Sequence, residues 1–400
     1  MSRTIYRRTL LKSAGLTMST AFASPSRKPH IAVVGAGAFG GWTALHLLRN
    51  GAGVTLIDVW GPGNSRASSG GETRIIRATY GPKQQYVRMA VRALELWKEN
   101  EKRWNQRLFH RTGVLWMTGP EDESEKASLP LLRDAGVLFE QLTPAEAQKR
   151  FPQINFDGVK WAIFEKDSGF LTARRNCQIV LDHFLAEGGE YREASVTPGV
   201  IQGREMRELA LSGGSRLSAD QYVFACGPWL GKLFPAVMGK VIRPTRQEVF
   251  FFGVPAGDVR YSEAQMPTWI DHGPHIFYGI PGNEWRGFKA GDDTRGPLCD
   301  PTSQERTPSP EALAHVRKYV EFRFPGMKGA PVLETRVCQY ENTPDENFIM
   351  DRHPEAANVW LLGGGSGHGY KHGPAVGERM ADLVLGKKPV DPFHSLARFA

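Results

Sequence analysis

Near the amino end, an apolar run from Ile31 to Val34 gives way to glycines, and apolar residues then recur at Trp42, Leu45, Leu47 and Leu48 before a second run, Val54 to Ile57. Uninterrupted apolar residues read as a buried strand and the spaced set as one face of a helix, with Gly51 and Gly53 as stops. The segment is therefore predicted to be a βαβ unit. Residues 86–104 (YVRMAVRALELWKENEKRW) pattern as an amphipathic helix, LTPAEAQKRFP as a short capped one, and 172–189 as a third that ends at Gly188 and Gly189. Val223 to Cys226 reads as a strand running into Gly227. Residues 241–290 alternate β-rich runs with turns, and SPEALAHVRKYVEFRFPG is a helix with Ser309 as its cap. A last strand, Val359 to Leu362, enters the glycine-rich GGGSGHGYK and a further helix.

Within the first unit, Gly35, Gly37 and Gly40 form GxGxxG around Ala38 and Phe39, and Asp58 closes the second strand. Gly35 permits the tight turn, Gly37 lets backbone N–H groups approach a pyrophosphate, and Gly40 lets helix and sheet pack closely. The helix N-terminus favours phosphate charge, and Asp58 is placed to accept from ribose hydroxyls. The motif alone does not choose between NAD and FAD. Nucleotide features at the start, middle and end predict a mixed α/β chain. Its Rossmann-like nucleotide domain is assembled from residues 29–84, 150–229 and 335–390. A substrate domain built on an antiparallel sheet is inserted as 85–149 and 230–334.

Composition narrows the function classes. The formal charge is +8, but the basic residues are scattered and form no stripe interleaved with aromatics, which speaks against nucleic acid. Residues 1–23 carry Arg3, Arg7, Arg8 and Lys12 and no acid, and without them the charge is +4. No run approaches the about eighteen apolar residues of a membrane span, so a globular, soluble chain is expected. The paired Arg7–Arg8, the short apolar stretch and Ala21-Phe22-Ala23 resemble a twin-arginine export signal, with a mature form starting near Ser24 in the periplasm or outside the cell. A disordered basic tail is the alternative. In an oxidising compartment Cys177, Cys226, Cys299 and Cys338 are open to disulfide pairing, which spacing cannot assign. No CxxC spacing or His/Cys cluster marks a metal site.

Four ordered stretches carry a family resemblance: SSGGETRIIRATYG, IFYGIPGNEWRGFKAG, CQYENTPDENFIMDRHP and GGGSGHGYK. Together they resemble the FAD-dependent amine oxidases typified by monomeric sarcosine oxidase, N-methyltryptophan oxidase and pipecolate oxidase, over nearly the whole mature chain. On the residues alone, Arg74 and Arg77 lie three apart, share a face if the segment is a helical turn, and together call for an anion. The resemblance implies that Arg77 and Lys371 clamp the substrate carboxylate and that Arg74 lies against the flavin ring beside Thr73. It implies that Tyr278 faces the substrate and that Lys289 activates dioxygen. Val196 and the loop carrying Gly367 would join the glycine motif in holding FAD. Cys338, two residues before Tyr340, occupies the position of a thioether to the flavin 8α-methyl; a disulfide or a core role is the alternative.

The family's histidines at the positions of Gly70 and Asp293 are missing, which puts methylglycine itself in doubt, and a smaller residue at 70 would leave room for a bulkier amine. The activity implied is hydride transfer from a secondary amine or N-substituted amino acid to FAD, with reoxidation by dioxygen giving peroxide. Two alternatives stand beside it: an exported dehydrogenase of amino or hydroxy acids that passes electrons to a respiratory carrier, and a non-catalytic flavin-binding protein.

Overall fold

The computed structural model describes residues 27–400, so the twin-arginine segment lies outside the described residues. Two sheets organise the chain. The first has six strands in the order Ile349–Arg352, Val359–Gly363, Gln221–Phe224, His30–Val34, Gly53–Asp58 and Glu190–Glu193. All pair in parallel except Ile349–Arg352, which runs antiparallel to Val359–Gly363. Parallel strands are buried on both faces, which is why Ile31–Val34 reads as a continuous apolar run. The helix Ala38–Arg49 packs between the helices Gly373–Val384 and Ala173–Ala186 on one face. Gly377 permits that approach: a Cβ there would lie 2.6 Å from the Trp42 carbonyl carbon.

The second sheet has eight strands in the order Val332–Asn342, Arg243–Phe252, Phe288–Asp292, Ile276–Ile280, Thr268–His272, Val114–Thr118, Trp161–Glu165 and Phe139–Leu142. Its pairs are antiparallel except Thr268–His272 with Val114–Thr118. Strand alternation separates two environments. Phe250, Phe252, Phe277, Phe288 and Ala290 join Trp269 and Phe324 in a core closed by the helix Pro310–Arg323. Gln247, Val249, Ile276, Tyr278, Cys338 and Tyr340 face the opposite way, into a cavity.

The expected segment boundaries cut through this sheet. Trp161–Glu165 lies within the stretch assigned to the nucleotide domain yet pairs with Val114–Thr118, and Val332–Asn342 pairs along its length with Arg243–Phe252. Conversely, the helix Gln84–Trp104, assigned to the substrate domain, packs on Gly373–Val384 and contributes Tyr86, Ala93 and Trp97 to the nucleotide-side core. The other local expectations have close counterparts. Thr143 caps Pro144–Arg150 in a reciprocal capping box, and Ser309 accepts from the Ala312 N–H at the start of Pro310–Arg323. All four cysteines are free thiols. No helix among the described residues is long and apolar enough to cross a membrane.

Candidate active site

A cavity of about 340 Å³ opens at the carboxyl ends of the parallel strands. Gly35, Gly37, Ala38, Phe39, Asp58, Val196, Arg74 and Gly367 all line it. Gly35 has φ +104°, and a Cβ on it would sit 2.3 Å from the Ala225 carbonyl oxygen, so the turn excludes other residues. Gly40 lies outside this lining; a Cβ there would lie 1.8 Å from the Gly35 oxygen, which makes it the packing glycine. Asp58 accepts N–H donors from Ala36 at 2.7 Å and Trp60 at 2.9 Å, and burial raises its pKa.

These residues fit a dinucleotide. The Ala38–Arg49 helix begins at Gly37, whose lack of a side chain leaves it no cap of its own, with no acid in its first turn; Ser69 Oγ accepts from the Ala38 N–H at 3.0 Å, and the rest of the positive end is open to a phosphate. At the far end, Glu341 is 8% exposed, its Oε1 accepts from the Gly365 N–H at 3.2 Å, and its Oε2 has no partner. Burial lifts this carboxyl to about 7. An orphaned buried acceptor in the wall calls for a donor from a bound group, such as a ribityl hydroxyl or a ring N–H.

A second cavity of about 120 Å³ shares Arg74, Tyr340, Gly367 and Tyr370 with the first, so the two abut. Arg77, Lys371, Tyr278, Asp293, Trp116 and His368 are among its walls. The Arg77 guanidinium carbon lies 4.4 Å from the Tyr80 ring centre and 4.6 Å from that of Trp116, and one N–H donates to the Thr79 carbonyl. Glu165 fixes that turn: its buried carboxylate accepts from the Ala78 N–H, the Thr79 N–H and hydroxyl, and the Ser168 hydroxyl. Lys371 is 5% exposed and donates to the His368 carbonyl at 2.9 Å; burial and then the Arg77 charge push its pKa well down. Tyr80 bridges His372 Nε2 at 2.7 Å and His368 Nδ1 at 3.2 Å beneath both cations. Asp293 accepts from the Tyr340 hydroxyl at 2.6 Å, and burial raises its pKa against the pull of Arg295.

Three expectations change. Arg74 and Arg77 lie on no helical turn. Arg74–Ile76 is a strand paired with Gly169–Leu171, and both arginines nevertheless reach the smaller cavity because the chain turns immediately after the strand. Gly70 lines neither cavity, and a Cβ on it would lie 2.0 Å from the Asn64 oxygen. Its smallness therefore serves the loop and gives no room to a substrate. Lys289 is also outside both walls. It is 1% exposed behind Arg74 and donates to the carbonyl of the buried Thr73 at 2.9 Å, and burial and then the Arg74 charge lower its pKa strongly. Cys338 does reach the cavity, where its Sγ accepts from Arg74 at 3.3 Å. Glu165 and Glu341 escaped the sequence reading, since a lone glutamate in an apolar strand or beside a tyrosine signals no ligand.

Comparison with known proteins agrees with this architecture. The family model for FAD-dependent oxidoreductases of the DAO type matches residues 30–383. Monomeric sarcosine oxidase of Arthrobacter sp. (strain TE1826) is 34% identical over 373 residues, covering 90% of this chain and 94% of its own. N-methyl-L-tryptophan oxidase of Salmonella agona (strain SL483) is 30% identical over 383 residues, covering 93% and 100%. In structure, L-proline dehydrogenase from P. horikoshii superposes with a TM-score of 0.82 at 23% identity, covering 93% of this chain and 98% of its own, which speaks to the fold. The match runs through both sheets and both cavities, and on that evidence the chain belongs to the DAO family of FAD-dependent oxidoreductases.

Proposed function

We propose that this FAD-dependent oxidoreductase oxidises an N-substituted α-amino acid at the C–H beside nitrogen, releasing an imine that water hydrolyses. The observation that carries the reading is the pair Arg77 and Lys371. Both are basic groups in the wall of the smaller cavity, and neither has a carboxylate partner among the described residues. Basic groups in a partly or fully desolvated wall without an anion call for one from a ligand. FAD supplies the hydride acceptor. Arg77 and Lys371 hold the substrate carboxylate; Trp116, Ile270 and Tyr278 exclude water and turn the α-carbon toward the wall shared with the larger cavity. The same two charges disfavour a protonated amine, so the substrate reacts with its nitrogen lone pair free and no protein base is required. The names of the sarcosine and N-methyltryptophan oxidases support this substrate class.

Dioxygen is the proposed acceptor, with Lys289 as the cation near it. A dehydrogenase that uses a carrier is the second reading, favoured by one observation: burial drives Lys289 toward its neutral form. Stopped-flow reoxidation of the reduced enzyme in air separates the two. Rapid recovery of colour with stoichiometric peroxide supports the oxidase, and slow recovery supports the carrier. A flavin that no amine reduces would make the protein a binding protein only.

Two further proposals concern assembly. Cys338, free and bonded to Arg74, is the attachment point for a covalent flavin; colour retained in an acid precipitate supports the tether and colour released removes it. The twin-arginine segment directs export of the folded protein, and native protein that retains Met1 would contradict this.

A further inference from the structure

We propose that His275, Asp292 and His315 form a binding site for one divalent transition-metal ion of the zinc class, back to back with the substrate cavity. The same strands that build the cavity place this cluster. His275 directly precedes Ile276–Ile280 and Asp292 ends Phe288–Asp292, which pairs with it at Phe277↔Asp292. Alternation sends Ile276 and Asp293 into the cavity and their neighbours His275 and Asp292 to the face covered by Pro310–Arg323, where His315 projects from the helix. The helix is seated there by Tyr319 stacked on Phe277, with ring centres 3.8 Å apart at 7°.

Asp292 Oδ2 lies 3.1 Å from His275 Nδ1 and 3.0 Å from His315 Nε2, and all three ligand atoms fall within 4.8 Å of one another. The other carboxylate oxygen, Oδ1, accepts the Thr294 N–H at 2.8 Å, which aims Oδ2 at the two rings. Metal bonds of about 2.0–2.2 Å in a tetrahedron put ligand atoms roughly 3.3–3.5 Å apart, so small side-chain rotations admit an ion. His275 and His315 are about half exposed, which leaves a fourth position for water. Two imidazoles and one carboxylate select zinc, cobalt, nickel or copper over the all-oxygen preference of magnesium and calcium. With intervals of 17 and 23 residues between ligands, no sequence motif reveals the set.

An ion here ties Pro310–Arg323 to the two strands whose next residues, Ile276 and Asp293, wall the substrate cavity, and these are themselves joined by the Asp293 N–H to the Ile276 carbonyl at 2.7 Å. Metal binding therefore stiffens one wall of that cavity. The test uses flavin-loaded enzyme, stripped with EDTA and dialysed, then titrated calorimetrically with zinc chloride, with magnesium chloride in parallel. The expected result is about one zinc per chain, no magnesium heat, and a raised melting temperature. D292N and H315N, with flavin content unchanged, are expected to bind at least about tenfold more weakly and to lose the thermal shift. Zinc bound equally by wild type and both variants, or no stoichiometric zinc on wild type, overturns the site and leaves two histidines hydrogen-bonded to an aspartate.

Discussion

Replacing Arg77 by methionine isolates the carboxylate clamp. The guanidinium sits between the Tyr80 and Trp116 rings at 4.4 and 4.6 Å, and one N–H is committed to Thr79, so the remaining donors are free for a ligand. Methionine keeps much of the packing between the rings and removes the charge. Breaking one partner of a desolvated, hydrogen-bonded charge pair costs about 2–5 kcal/mol. Lys371 stays in place and shares the anion, so the lower half of that range applies, which is roughly thirty- to several-hundredfold in affinity. The assay is perturbation of the flavin spectrum by propionate, a carboxylate without an amine, so that binding is read without chemistry. R77M with normal flavin content is expected to lose affinity by that factor, and R77K to recover only part of it because an ammonium lacks the planar fork. If R77M binds propionate as tightly as wild type, or loses uncharged analogues equally, Arg77 does not hold the carboxylate.

Other expectations follow from buried groups. Burial and then the Arg77 charge lower the pKa of Lys371, and a carboxylate bound beside it raises that pKa again, so carboxylate binding is linked to proton uptake. Propionate affinity should then fall as pH rises above the Lys371 pKa, and calorimetry in buffers of different ionisation heat should show proton uptake that K371M abolishes. Glu341 is raised from 4.5 to about 7, so in flavin-free protein its contribution is complete below pH 4.5 and is lost as pH rises through 7. E341Q should therefore gain stability relative to wild type between pH 5 and 8, by up to about 3 kcal/mol in chemical denaturation, and a pH-independent difference would refute the shift. K289M should slow reoxidation by oxygen by about 10²–10³ while flavin reduction by substrate changes little; equal effects on both half-reactions would remove Lys289 from oxygen chemistry.

Local signals were legible where neighbours in sequence are neighbours in space. The glycine turn, the Ala38–Arg49 helix and its flanking strands, and the capped helices at Thr143 and Ser309 all follow from spacing. Legibility failed where long-range pairing decides. Arg74–Ile76 has a short spacing compatible with a helix, and only its partner Gly169–Leu171 makes it a strand. Trp161–Glu165 sits between two nucleotide-side segments yet completes the other sheet. Glu165 and Glu341 matter chiefly through bonds to Ala78, 87 positions away, and Gly365, 24 positions away, which no local pattern encodes. The resemblance singled out Arg77, Lys371, Tyr278 and Cys338, which the fold brings to the smaller cavity, but it did not reveal that Lys289 stands behind the wall, because that depends on the depth of its strand.

The most direct test mixes the flavin-loaded enzyme, without oxygen, with a panel of N-methyl amino acids and with the matching N-methylamines that lack the carboxylate. The expected result is rapid loss of the visible flavin band with at least one N-methyl amino acid and, for its decarboxylated counterpart, a reduction at least about a hundredfold slower at equal concentration. Bleaching that is indifferent to the carboxylate, or that occurs with hydroxy acids and with no N-substituted amino acid, would contradict the account.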